Sequence, residues 1–371
     1  MSARRVGVLL VAGLAIIGFA MWIASQRHLE RATLTGDLVL ADLERSVNAV
    51  TAIALRKGDG THVTLKKEAA GWSVGEREWP ADASKVRKLL LDLGALNIVE
   101  EKTRLAANFP KLGVEDVSSP QASGTRVEIV SPARTWALIV GKSSSAKSGY
   151  VRVAGAAQSL LAAPLLTVDA DPKGWLDRSL IDLAPDRVRQ VEEKPATGPS
   201  FNLTRDKKEQ TDFSVSPRPV GRELSSAGVA NPIASALSSL TLDDVARAGS
   251  SPDPKAAHAL YRTFDGLEVE VAGRKGGTRS LASLRARSTA KETEAEAGKL
   301  NARLGGWEFE IPDYKYGAIF RPLDELLKKP PEPEKKAART AAPRKAATPG
   351  KTGKAGASDK ATPDKDTATP Q

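Results

Sequence analysis

The stretch that most constrains the fold runs from Gly71 to Thr103, GWSVGEREWPADASKVRKLLLDLGALNIVEEKT. Alternation through Trp72 and Val74 predicts a strand, which Pro80-Ala81-Asp82 breaks, with Asp82 placed to cap a helix. Val86, Leu89, Leu90, Leu93 and Leu96 then recur at helical spacing as a one-sided apolar stripe. Lys85, Arg87, Lys88 and Asp92 take the opposite face. Gly94 softens the helix end, and a further strand follows.

A degenerate copy of this pattern returns later. In the first half, Val50 to Leu55 and Thr61 to Leu65 flank Gly58-Asp59-Gly60, a hairpin signal. Arg126 to Val130 and Thr135 to Val140 read as a second hairpin, and Tyr150 to Val153 as another strand. In the second half Val188 and Val191, then Phe201 and Leu203, alternate in turn, and Phe213 with Val215 stand where Trp72 and Val74 stood. The step from Val47 to Trp72 equals that from Val188 to Phe213, an offset of 141 (213 − 72). Asn231-Pro232 reads as a cap with proline at the first helical position, leading into a stripe of Ile233, Leu237 and Leu240. Leu267 to Val271 and then Trp307, Phe309 and Ile311 alternate, and Leu323 to Leu327 closes with a short helix. Arg287 to Leu304 reads as a charged helical insertion with no counterpart in the first copy. The expectation is an α+β protein of two tandem duplicated lobes, 47–170 and 188–328, each a mainly antiparallel sheet with packed helices, joined by a connector at 171–187.

Val6 to Ala24 carries no charge over about the length that crosses a bilayer as a helix. Arg4 and Arg5 precede it, and Trp22 sits where an interfacial aromatic would. A signal-peptidase cut after Ala24 would put Trp22 at the −3 position, which such sites reject. The segment 1–28 is therefore expected to be an uncleaved single-pass anchor that holds the cell membrane through residues 6–24, with 29–46 a juxtamembrane linker. A short N-terminal flank favours a cytoplasmic N-terminus, which in a bacterium sets the body in the periplasm as an inner-membrane protein.

The formal charge of +10 looks like a nucleic-acid signal until it is located. Lys328 to Gln371 holds 11 Lys/Arg against 5 Asp/Glu, so +6 (11 − 5) lies in this stretch and +4 is spread over the rest. Residues 329–371 are rich in Pro, Ala, Lys and Thr, too poor in apolar surface to offset the entropy of ordering, and are expected to form a disordered basic tail. Such a tail suits an anionic lipid or glycan. No nucleic-acid partner is expected, because stacking aromatics are not interleaved with the basic residues.

Cysteine is absent, which removes disulfides, thiolate metal sites and cysteine catalysis. His28, His62 and His258 have no second histidine or carboxylate at metal-ligand spacing. Gly141-Lys142-Ser143 lacks the glycine of a phosphate loop, since Trp136 stands in its place. Asp169, Asp171, Asp177 and Asp182 cluster in sequence, but not at calcium-loop spacing. Trp175, Asp177 and Arg178 are instead expected to form the joint between the copies, with Trp175 packed and its polar neighbours capping and pairing. No catalytic, cofactor-binding or metal residue is assigned, so the expected protein is not an enzyme and needs no cofactor. A hydrolase using the aspartate cluster is the remotest alternative.

An ordered set of short motifs carries a family resemblance. Trp72 and Trp79-Pro80-Ala81-Asp82 before a leucine-rich helix come first. Leu112-Gly113-Val114, Leu138-Ile139-Val140-Gly141-Lys142, Tyr150-Val151-Arg152 and Trp175-Leu176-Asp177-Arg178 follow. This set resembles the bacterial domain of unknown function 4340, over about Val47 to Leu327 and most clearly up to Val191. The resemblance implies an N-terminally anchored envelope protein that assists a gliding-motility-type ABC transporter, with a permease or auxiliary subunit as partner. It brings no catalytic residues.

Overall fold

In the computed structural model, residues 36–249, 253 and 255–328 are described. The expected membrane segment, His28 and the basic tail lie outside them. Among the described residues no helix is long and apolar enough to cross a membrane.

Residues 36–46 carry more structure than a linker needs. Ile98 N–H donates to the Asp37 carbonyl at 3.0 Å and Val39 N–H to that of Leu96 at 2.9 Å. Val39, Leu40 and Leu43, the last in helix α1 (Leu43–Ser46), are buried.

The first half then builds one sheet. Strands β1 (Ala52–Lys57), β2 (His62–Glu68), β3 (Gly71–Val74) and β4 (Trp79–Pro80) form a meander. Helix α2 (Ala83–Gly94) follows, with strand β5 (Asn97–Glu101) and the single turn α3 (Phe109–Leu112) after it. A second meander runs through β6 (Thr125–Val130), β7 (Thr135–Ser143), β8 (Gly149–Val153) and β9 (Ser159–Ala163). The nine strands lie in the order β4-β3-β2-β1-β6-β7-β8-β9-β5, all antiparallel. The Asp82 carboxylate caps α2, accepting from the N–H groups of Ser84 and Lys85 at 3.0 and 3.2 Å. Val86, Leu89, Leu90 and Leu93 are all buried, roughly 1.5–3 kcal/mol of transfer free energy for each fully covered side chain. Gly141 belongs to strand β7, where a Cβ would come within 2.4 Å of the Leu112 carbonyl, so this glycine serves a close backbone approach.

Beyond the connector come β10 (Ser179–Ile181), β11 (Val188–Lys194), β12 (Phe201–Thr204), β13 (Ser214–Ser216), α4 (Asn231–Ala234), β14 (Leu240–Thr241) and β15 (Asp244–Arg247). Then follow β16 (Ala257–Thr263), β17 (Leu267–Gly276), β18 (Arg279–Ser288), α5 (Glu294–Leu304), β19 (Trp307–Glu310), α6 (Asp313–Ile319) and α7 (Leu323–Leu326). The main sheet here has the order β13-β12-β11-β16-β17-β18-β19-β15. Position by position it follows the first sheet from β3 to β5, including the last strand, which returns from earlier in the chain to the far edge. Buried side chains of both sheets join one continuous apolar cluster.

Register corrects the offset read from the sequence. In the first sheet Ile53 faces Leu65 and Ile129, and Leu65 faces Val74. In the second Val191 faces Leu203 and Tyr261, and Leu203 faces Val215. The offset is thus 138 (203 − 65) across the first hairpin and 141 (215 − 74) only after it. The β12–β13 connection is three residues longer than the tight β2–β3 turn, so Val188 corresponds to Val50 and not to Val47. Helix α4 is also shorter than expected. Asn231 sits inside it rather than capping it, and Leu240 belongs to β14. The reason is the serine run that follows: Ser235 Oγ bonds back to the Asn231 carbonyl at 3.0 Å, an alternative to continued helix.

Candidate functional site

Two places in the fold concentrate polar chemistry, and the first is the junction between the halves. Trp175 is buried at the end of the turn Pro172–Trp175, its indole N–H donating to the Asp169 carbonyl at 2.7 Å. Its own carbonyl accepts from Asp82 N–H at 2.7 Å, and Asp177 N–H donates to Pro80 at 2.9 Å, so the connector runs beside β4 and the start of α2. From the other side Arg303 in α5 reaches the Asp177 carboxylate at 3.0 Å, and Leu242 N–H donates to the Arg178 carbonyl at 2.9 Å. The Arg178 side chain is exposed.

Trp79 completes this weld. Its indole N–H donates to the Asp177 carbonyl at 2.9 Å, and its ring meets Trp307 and Phe309 edge-on at 5.4 and 5.3 Å. A polar strap lies alongside: Arg77 grips Asp244 with two nitrogens at 2.7 and 3.2 Å, Lys173 approaches Asp244 at 3.3 Å, and Arg247 pairs with Glu78 at 2.7 Å while lying 3.8 Å over the Trp307 ring. Burial works against the charged form of Asp244, but the Arg77 bonds, the Val245 N–H and Lys173 outweigh it and hold this carboxyl below its usual range. The sequence pointed to Trp175, Asp177 and Arg178 but missed Trp79, Arg77 and Asp244. Their partners are far apart in the chain, and no local pattern marks them.

The aspartates flanking Trp175 do not converge. Asp169 accepts from Asp171 N–H, Asp171 from Lys173 N–H, and Asp177 from Ser179 N–H. Asp182 accepts from Ser239 N–H at 2.7 Å, a bond that holds its carboxyl below the usual range. Each carboxylate organises its own turn. Among the described residues no group of three or more His, Asp or Glu side chains is placed to hold a metal ion.

The second place is a fork in the second sheet. In the first sheet β8 pairs with β9 from Gly149–Ala162 to Arg152–Ser159. In the second, β18 is ten residues long but pairs with β19 only at Leu281–Glu310 and Ala282–Phe309. Helix α5, which is inserted between these two strands, holds them apart. Its Asn301 side chain takes the place of a strand partner, accepting from Ala286 N–H at 2.8 Å and donating to the Ala286 carbonyl at 2.7 Å. On the far side of the fork Ile311 N–H donates to the Ser280 carbonyl at 2.9 Å. The even-numbered residues of β18 therefore point their backbone groups at the fork, and Leu284 lies between the last β19 pair and Asn301, paired with neither. Continued register would set Leu284 opposite Trp307, whose backbone faces it from the other prong.

A cavity of about 880 Å³ opens here, its lining including His258, Glu270, Ser283, Arg285, Trp307 and Glu308. Arg274 holds Glu308 through two bonds at 2.8 and 2.7 Å, and His258 stands 3.6 Å from Glu270. Arg285 and Arg287 are exposed and have no carboxylate at ion-pair distance among the described residues. The sequence marked the insertion but not the fork, since the charged run Arg287 to Leu304 hides the end of β18.

A buried acid sits deeper in the same sheet. Glu193 faces Phe201 and Ala259 at the place where Leu55 faces Val63 and Val127 in the first sheet. Only 1% of it is exposed, and neither carboxylate oxygen has a hydrogen-bond partner. Burial pushes its carboxyl well above the ordinary glutamate value. Burial, with Glu193 adding to it, likewise raises the Tyr261 hydroxyl, which donates to the Ile233 carbonyl at 3.0 Å.

Among known proteins, the family model described as Domain of unknown function (DUF4340) matches residues 72–262, just over half of the chain. No curated protein and no solved structure matches.

Proposed function

Because the chain belongs to the DUF4340 family, we propose that it is a non-enzymatic, membrane-anchored envelope protein that serves as an accessory component of an ABC-type, gliding-motility-like transport complex. In this reading residues 6–24 cross the inner membrane once, the body lies in the periplasm, and the body arose by tandem duplication of one α+β lobe. The matching strand order of the two sheets supports duplication. The observation that carries the accessory role is the junction. Trp79, Trp175, Arg77 and Asp244 tie the two sheets together and leave outer faces available to partners. Crosslinked affinity purification of the full chain from native membranes, read by mass spectrometry, tests it. Recovery of a permease, its ATPase and an auxiliary subunit is expected. Recovery of the chain alone sinks the proposal.

The +6 charge at the C-terminal end favours a second reading, an envelope module that binds glycan or another anionic polymer. Deleting residues 330–371 should then abolish salt-sensitive pelleting with cell wall, and unchanged pelleting removes the tail from that role.

A further inference from the structure

The forked edge has a shape and a chemistry that the accessory role does not require. Strand edges with free backbone groups recruit other strands, and folded proteins ordinarily cover or charge them. Here one edge is covered at both ends and left open in the middle. Below the opening Ala282 pairs with Phe309, and above it Asn301 imitates a peptide group against Ala286. Leu284 and Trp307 face the gap with their N–H and C=O groups, and the cavity of about 880 Å³ leaves room beside them. A guest strand bonded at Leu284 would place alternate side chains on the outer face, the face that carries Ser283, Arg285 and Arg287.

Charge selects the guest. The cavity's other basic groups are engaged, Arg274 by Glu308 and His258 by Glu270, and Asp253 at the rim accepts from Lys255 N–H. Arg285 and Arg287 remain, two residues apart and on one face, the spacing of alternate carboxylates on an extended chain. The protein's own basic tail has the wrong sign for this site.

We propose that the fork between β18 and β19 is a docking site for an extended acidic peptide segment of a partner protein, which adds to the Leu284 edge as a strand and sets alternate carboxylates against Arg285 and Arg287. This mode draws affinity from main-chain bonds and specificity from alternate side chains. It holds whichever complex the chain serves.

Fluorescence polarisation with the full-length protein in detergent tests it, using a labelled peptide of alternating valine and glutamate. The expected results are saturable binding, at least about tenfold weaker binding of the valine–lysine counterpart, and loss of binding when alternate amides are N-methylated. Arg285→Glu with Arg287→Glu should weaken the acidic peptide by at least about tenfold. Both sites are exposed, so the fold is retained and circular dichroism checks it. Deleting residues 329–371 should leave the affinity unchanged. Equal affinity for the two peptides, indifference to N-methylation, or no binding at about 1 mM peptide overturns the proposal. So does an anionic oligosaccharide that binds the fork where the acidic peptide does not, which would make this a glycan site.

Discussion

The first and second sheets hold the same strand order and differ in two places, both of which weaken the second. The first buries Leu55 between Val63 and Val127, and the second buries Glu193 between Phe201 and Ala259. The first pairs β8 with β9 through four residue pairs, and the second opens after two. One half of the molecule is thus packed and paired for stability, while its counterpart keeps an unpartnered acid and an open edge. Neither departure stabilises a fold. Where one copy of a shared architecture tolerates such costs and the other does not, the costly copy is where a binding function is best sought.

Placing the acid in the other sheet gives the largest expected effect. Leu55→Glu sets a carboxylate among fully buried apolar neighbours and also removes a packed side chain. A loss of about 4 kcal/mol or more is expected in urea unfolding at neutral pH. A loss under 1 kcal/mol would mean that the first sheet relaxes around a polar group as the second does, and that the two sheets differ less than their packing says.

The reverse change should stabilise. Glu193→Leu restores the apolar pattern of the first sheet and is expected to add about 2 kcal/mol at pH 7. The pH profile identifies the cause. Glu193 keeps its proton to higher pH in the folded protein than in the unfolded chain, where its value is near 4.5. Its contribution is therefore intact below that pH and is lost as pH rises, at up to about 1.4 kcal/mol per unit until the folded group ionises. Glu193→Gln should flatten that slope across the range above pH 4.5. A slope unchanged in the glutamine variant would assign it to other groups.

Much of this architecture could be read from the residues, and its limits are physical. Hairpins were legible because alternation is local, as at Ile53, Leu55, Val63 and Leu65, and α2 because its stripe and its Asp82 cap lie within one segment. The return of β5 and β15 to the far edges was not legible, since that placement is decided by long connections rather than by any periodicity. Helix α4 was overestimated because Ile233, Leu237 and Leu240 keep helical spacing while the serines between them bond back to the chain. Glu193 left no local trace: Val188, Val191 and then two glutamates look like a strand running out into solvent. Only its alignment with Leu55 exposes it, and that needs the offset of 138, which depends on the length of the β12–β13 connection.

The smallest of these effects concerns the fork itself. Asn301→Ala removes the two bonds that satisfy Ala286, leaving one N–H and one C=O at the edge of β18 without a partner. Water reaches part of this edge through the cavity, so the expected loss is about 1–2 kcal/mol rather than the full cost of two buried orphans. Amide exchange at Ala286 should quicken by more than the change in global stability accounts for, because the opening is local. The equivalent edge in the first sheet, where Val151 pairs with Leu160, should show no change in the same variant. If exchange at Ala286 stayed as slow as at Val151, β19 would have closed onto β18, and the fork would be held open by Asn301 alone rather than by the body of the inserted helix.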